Sequence, residues 1–110
     1  MRGLILTNRS VILCPHSGIV HGFPGLGVLR PVEGGLPLMI NDVFTVGGCY
    51  ECFTVRWAYP SVTFFINGVP ALVHTSIGEC VGTHGETLGV ATIGLFQTVE
   101  FEPEELTFYN

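Results

Sequence analysis

Four cysteines and four histidines are the residues of this 110-residue chain best suited to chemistry. Cys49-Tyr50-Glu51-Cys52 is a C-x-x-C, a spacing that lets two thiolates take neighbouring corners of a metal tetrahedron. Cys14-Pro15-His16 offers a thiol and an imidazole two residues apart, and Cys80 adds a further thiol. Cys14, His16, Cys49, Cys52 and Cys80 are therefore five donors for the four positions of a closed structural site, with His21, His74 and His84 as lesser options. Three arrangements are compatible with this pattern: four of the five donors on one metal, a disulfide involving Cys49 or Cys52, or small apolar thiols packed in a core. A redox role for the C-x-x-C is disfavoured because no thioredoxin-like β-α-β pattern surrounds it.

Nucleophilic catalysis needs a thiol or hydroxyl, a histidine base and a carboxylate to orient it. Cys14 with His16, or Cys80 with His84 and Glu79, contains the right groups but sits on no recognisable motif. Paired carboxylates occur in the stretch Glu100, Glu102, Glu104 and Glu105, where the sequence offers nothing to drive their pKa values apart. The expectation is that the chain is not an enzyme. His74, at the end of an apolar run, is expected to be partly buried and hydrogen-bonded, and His84 to lie in an exposed turn.

The elements that must position these groups are short. Fifteen glycines and seven prolines interrupt the chain so often that the longest unbroken stretches, 4–14 and 49–59, are about eleven residues and rich in β-branched or aromatic types. No helix of three or four turns fits. Residues 53–58 alternate apolar and polar, as a half-buried strand does, and 97–101 alternate again. Residues 62–66 and 88–93 are apolar runs bounded by turn residues, with Asn67-Gly68 as a tight turn. Between 18 and 36 the chain reads as a wandering loop whose one strand candidate is 28–30. The fold class is all-β, a small assembly of short strands and turns in one domain spanning 1–110, with a solvated acidic tail from about residue 100. Trp57, Tyr59, Phe64 and Phe65 are expected in the core or at a partner interface.

Two stretches repeat. Gly35-Leu36-Pro37-Leu38-Met39 leads to Gly48-Cys49, and Gly68-Val69-Pro70-Ala71-Leu72 leads to Glu79-Cys80, with first-glycine-to-cysteine spacings of 14 and 12. Each is a Gly-x-Pro turn, a short apolar strand, a polar loop and a thiol.

Composition narrows the partners. The chain is 47% hydrophobic with mean hydropathy +0.52, and 12% charged against roughly 25% in an ordinary domain. One domain of this size does not bury so much apolar surface alone, so part of it is expected to face a partner. There is no lysine, the cations are Arg2, Arg9, Arg30 and Arg56, and the net charge is −5, so no basic groove for nucleic acid is expected. No apolar run reaches the roughly 18 residues of a membrane span, and the N-terminal apolar stretch is too short for a signal peptide. Synthesis in the cytoplasm follows as the expectation. There, cysteines favour metal or free thiols over a disulfide framework.

Ile12-Leu13-Cys14-Pro15-His16-Ser17-Gly18-Ile19-Val20 resembles the opening of the PAAR-like proteins that form the spike tip of contractile injection systems. The resemblance continues through Gly35-Leu36-Pro37-Leu38, Gly48-Cys49, Cys52-Phe53-Thr54-Val55-Arg56-Trp57, Gly68-Val69-Pro70-Ala71-Leu72 and Thr75-Ser76-Ile77-Gly78-Glu79-Cys80, covering roughly residues 11–100. Ser17 stands where the family has glycine, and only Tyr50-Glu51 separates Cys49 from Cys52, where the family's spacer is longer. The resemblance implies a β-rich cone capping a trimeric β-helical spike of the VgrG type, with one structural metal, zinc, near its apex. It implies Cys14, His16 and Cys80 as the first ligands, with Cys49 or Cys52 as the fourth. It further implies assembly into a phage tail, type VI secretion or extracellular injection apparatus and delivery to a target envelope without stable membrane insertion, and it leaves open whether effector cargo is a further partner. The alternative is a small metal- or disulfide-stapled interaction module of another assembly.

Overall fold

A computed structural model of the chain describes residues 4–32, 35–94 and 105–109. It is all-β. Among the described residues ten short strands, β1 (Val11–Leu13), β2 (Ile19–Phe23), β3 (Val43–Gly47), β4 (Cys52–Ala58), β5 (Phe64–Ile66), β6 (Val69–Pro70), β7 (Ile77–Gly82), β8 (Thr87–Val90), β9 (Thr92–Gly94) and β10 (Thr107–Tyr109), form three sheets. Their strand orders are β3-β2-β1-β9, β4-β7-β8 and β10-β5-β6. Among the described residues no helix is long and apolar enough to cross a membrane.

The half-buried strand expected at 53–58 is β4, whose inward residues Cys52, Val55 and Trp57 face the core. Asn67 (φ 52°) and Gly68 (φ 79°) join β5 to β6, both in the left-handed region that a two-residue type I′ hairpin demands. The apolar run 88–93 is broken into β8 and β9. Residues 28–30 are not a strand: Leu26–Leu29 form one 3-10 turn instead. Gly27 makes that turn possible, because a Cβ there would strike the Pro37 carbonyl oxygen. Thr107–Tyr109 pair in parallel with β5, and Phe108 stacks on Phe65 at 4.9 Å, so the end of the acidic tail is tied into a sheet. The alternating stretch 97–101 lies outside the described residues.

At the centre three segments close a ring. Leu6 N–H donates to Leu72 O (2.9 Å), Leu72 N–H to Leu38 O (2.8 Å), and Leu38 N–H to Leu6 O (2.9 Å). Two residues further along each segment the donors turn to the other neighbour, with Asn8 N–H donating to Leu36 O (3.0 Å), Ile40 N–H to Pro70 O (3.1 Å) and His74 N–H to Leu4 O (2.8 Å). Each segment then ends in the same side-chain-capped turn. Ser10, Asp42 and Ser76 donate their N–H to the carbonyls of Thr7, Met39 and Val73, and their side-chain oxygens accept the N–H of those same residues. β1, β3 and β7 start immediately after these three turns. The molecule is thus built on an internal pseudo-threefold, with 32 residues from Leu6 to Leu38 and 34 from Leu38 to Leu72.

The ring divides the interior, because successive side chains of an extended segment point opposite ways. Leu6, Leu38 and Leu72 join one buried cluster with Cys14, Cys52, Cys80, Phe44 and Trp57. Ile5, Met39 and Val73 join the other, with Phe64, Ile66 and Ala71.

Candidate metal centre

Two neighbouring turns carry the donors. The first, between β1 and β2, is short enough that Leu13 and Ile19 pair directly across it. It is closed by Cys14 N–H to Gly18 O (2.8 Å) and Ser17 N–H to Cys14 O (3.0 Å). Ser17 holds φ 66°, a conformation for which glycine is better suited. The second turn runs between β3 and β4, and Gly48 enters it at φ 76°. Because Ile19 pairs with Gly47, the exit of the first turn lies beside the entrance of the second. Strand register therefore brings the Cys14-Pro15-His16 unit to the C-x-x-C across 33 residues of chain.

The donor atoms of Cys14, His16, Cys49 and Cys52 all lie within 4.8 Å of one another. His16 Nδ1 is 3.6 Å from both Cys49 Sγ and Cys52 Sγ. Zinc bonds of about 2.3 Å to sulfur and about 2.0–2.1 Å to nitrogen imply tetrahedral edges of about 3.6 Å for N···S and about 3.8 Å for S···S. The residues present fit a Cys3His metal site, and with four protein donors no position is left for water.

Backbone donors support the sulfurs. Gly18 N–H reaches Cys14 Sγ (3.1 Å) and Cys52 N–H reaches Cys49 Sγ (3.4 Å). The Cys52 N–H, helped by that of Glu51, pulls the half-buried Cys49 thiol down to about 6. Burial pushes Cys52 the other way, reinforced by its thiol neighbours Cys49 and Cys14. A metal takes both sulfurs as thiolates, so its binding displaces the proton that burial favours on Cys52.

Gly18 is where the two turns touch. A Cβ there would lie 2.7 Å from Cys49 Cβ, 3.0 Å from Cys14 Sγ and 3.0 Å from Gly47 O. Gly18→Ala is expected to push the turns apart, cost about 1–3 kcal/mol of stability as overpacking does, and weaken metal uptake. Chelator competition and thermal melts check it. Gly89 plays the parallel role for the back of the first turn, since its φ of 139° and missing side chain leave room for the Pro15 ring.

Cys80 is not among the four clustered donors. It is fully buried on the inward face of β7, where burial raises its pKa, and it lies beside Cys52 in the same core. Both thiols of the C-x-x-C join the cluster. His74 is half-buried and accepts the Leu4 N–H on Nδ1 (2.8 Å), so it closes part of the ring. His21 is exposed on β2, and His84 is exposed next to Glu86. Sequence reading did not single out Glu51, whose carboxylate lies 3.1 Å from His16 Nε2. Its position inside the C-x-x-C was the available signal.

No protein-family model matches the chain, and no curated protein or solved structure matches it either.

Proposed function

We propose that this chain is a structural tip protein that caps a trimeric β-helical spike of the VgrG type in a contractile injection system. The Cys14/His16/Cys49/Cys52 centre would be its structural zinc staple. The observation that carries this reading is the pseudo-threefold ring of Leu6, Leu38 and Leu72 with its three repeated turns. A threefold-symmetric partner presents the same surface three times, and a single chain that repeats itself about the same axis can match all three copies at once.

Further features support the reading. The order of the Cys-Pro-His, Gly-x-Pro and Gly-Cys segments resembles that of the PAAR-like proteins. Three thiolates and an imidazole on one zinc would make a closed, non-catalytic site that cross-links two turns. The exposed Val62, Leu106 and Phe108 lie on or next to the β10-β5-β6 sheet, which packs on the ring side away from the donors, where a seat for the spike would need apolar surface. The work is mechanical: sheath contraction drives the spike, and a rigid tip concentrates the force. The protein is then carried in the apparatus to the target envelope.

The test is to mix the chain with the trimeric spike protein of its own injection system and measure the mass of the product. One chain per three spike subunits is the expected result. A chain that stays monodisperse and monomeric, with no affinity for the trimer, would instead favour a free-standing stapled module.

A further inference from the structure

His16 can meet a metal through either ring nitrogen, and the choice decides where its backbone must stand. A metal-bound imidazole is neutral and carries its one proton on the other nitrogen. Here Nδ1 faces the Cys49 and Cys52 sulfurs at 3.6 Å, and Nε2 faces the Glu51 carboxylate at 3.1 Å. Glu51 belongs to the opposite turn. It sits between the two cysteines that share the metal with His16, at the rim of a 270 Å³ hollow lined by His16, Gly48, Cys49, Tyr50 and Glu51.

We infer that Glu51 is a positioning residue for the metal centre: it accepts the Nε2–H of His16, fixes the tautomer that leaves Nδ1 free for the metal, and ties the two donor turns together. The alternation within Cys49-Tyr50-Glu51-Cys52 makes this economical. Two positions supply sulfur, one supplies the carboxylate that orients the fourth ligand, and Tyr50 points to solvent, fully exposed. A carboxylate behind a ligating histidine also raises the basicity of the ring, which strengthens its bond to the metal. The inference rests on reading the four donors as a metal site.

The experiment measures zinc affinity by chelator competition for wild type, Glu51→Ala and Glu51→Gln. The His16 tautomer is read from long-range proton–nitrogen couplings in the zinc-loaded wild type. Expected are an Nε2-protonated, Nδ1-ligated His16, a loss of about 10- to 100-fold in zinc affinity for Glu51→Ala, and recovery of most of it in Glu51→Gln, whose amide oxygen accepts the same hydrogen bond. Should Glu51→Ala fail to fold, the wild-type tautomer and the glutamine variant decide. Equal affinity in all three proteins, or a His16 bound through Nε2, overturns the role of Glu51 alone. A wild-type chain that takes up no zinc overturns it together with the metal site.

Discussion

Cys52→Ser is expected to abolish stoichiometric zinc binding and, with it, the folded state at 25 °C. Cys52 is 5% exposed, lies in the main core cluster with Cys14 and Trp57, and is a member of the four-donor set. Structural zinc sites contribute about 10–16 kcal/mol of apparent binding free energy at neutral pH. Whole domains are stable by only about 5–15 kcal/mol. A chain that loses the first quantity has little left of the second, and a serine hydroxyl buried at position 52 adds a further cost. The readouts are the loss of a cooperative melt and the exposure of Trp57 to solvent by fluorescence. Cys80→Ser is the contrast: it removes an equally buried thiol that is not among the four donors, so it should keep one zinc per chain and lose only about 1–3 kcal/mol for burying a hydroxyl. Equal collapse of both variants would mean that Cys80 is a ligand.

Leu72→Ala is expected to cost about 2–5 kcal/mol, as a fully buried leucine truncated to alanine does. Its side chain is 0% exposed and sits where all three ring segments converge. The backbone ring survives the substitution, so the zinc-loaded variant should still fold, with a lower melting temperature and unchanged metal content. A melting temperature within a degree of wild type would show that the three segments do not share one packed centre.

Much of this architecture was legible in the residues. Glycine and proline spacing excluded long helices, Asn67-Gly68 marked its hairpin, and β4 followed from its alternation. Two of the three ring segments were visible as the near-repeats at 35–49 and 68–80. The first, Leu4 to Ser10, was not, because it lacks the Gly-x-Pro signature and matches only in its apolar residues and in the serine three residues after Thr7. That equivalence lies in hydrogen bonds made through space, and Ser10, Asp42 and Ser76 share only a side-chain oxygen. The donor types were also legible, but which four of them cluster was not. Cys80 sits on β7 eight residues after Leu72, as Cys14 sits eight after Leu6, so linear spacing makes them equivalent. What separates them is register: Ile19 opposite Gly47 brings the first two turns together, while Cys80 pairs with Val55 inside a sheet.

The central claim is that four side chains from two turns close on one metal and hold the fold. It is tested most directly by metal analysis of untagged protein purified without chelator, followed by melts before and after strong chelation. The account predicts one zinc per chain, bound by Cys14, His16, Cys49 and Cys52, and loss of the cooperative transition when it is removed. Protein with no metal, an unchanged melt after chelation, and fewer than four titratable thiols after denaturation would contradict it and point to a disulfide in place of the metal.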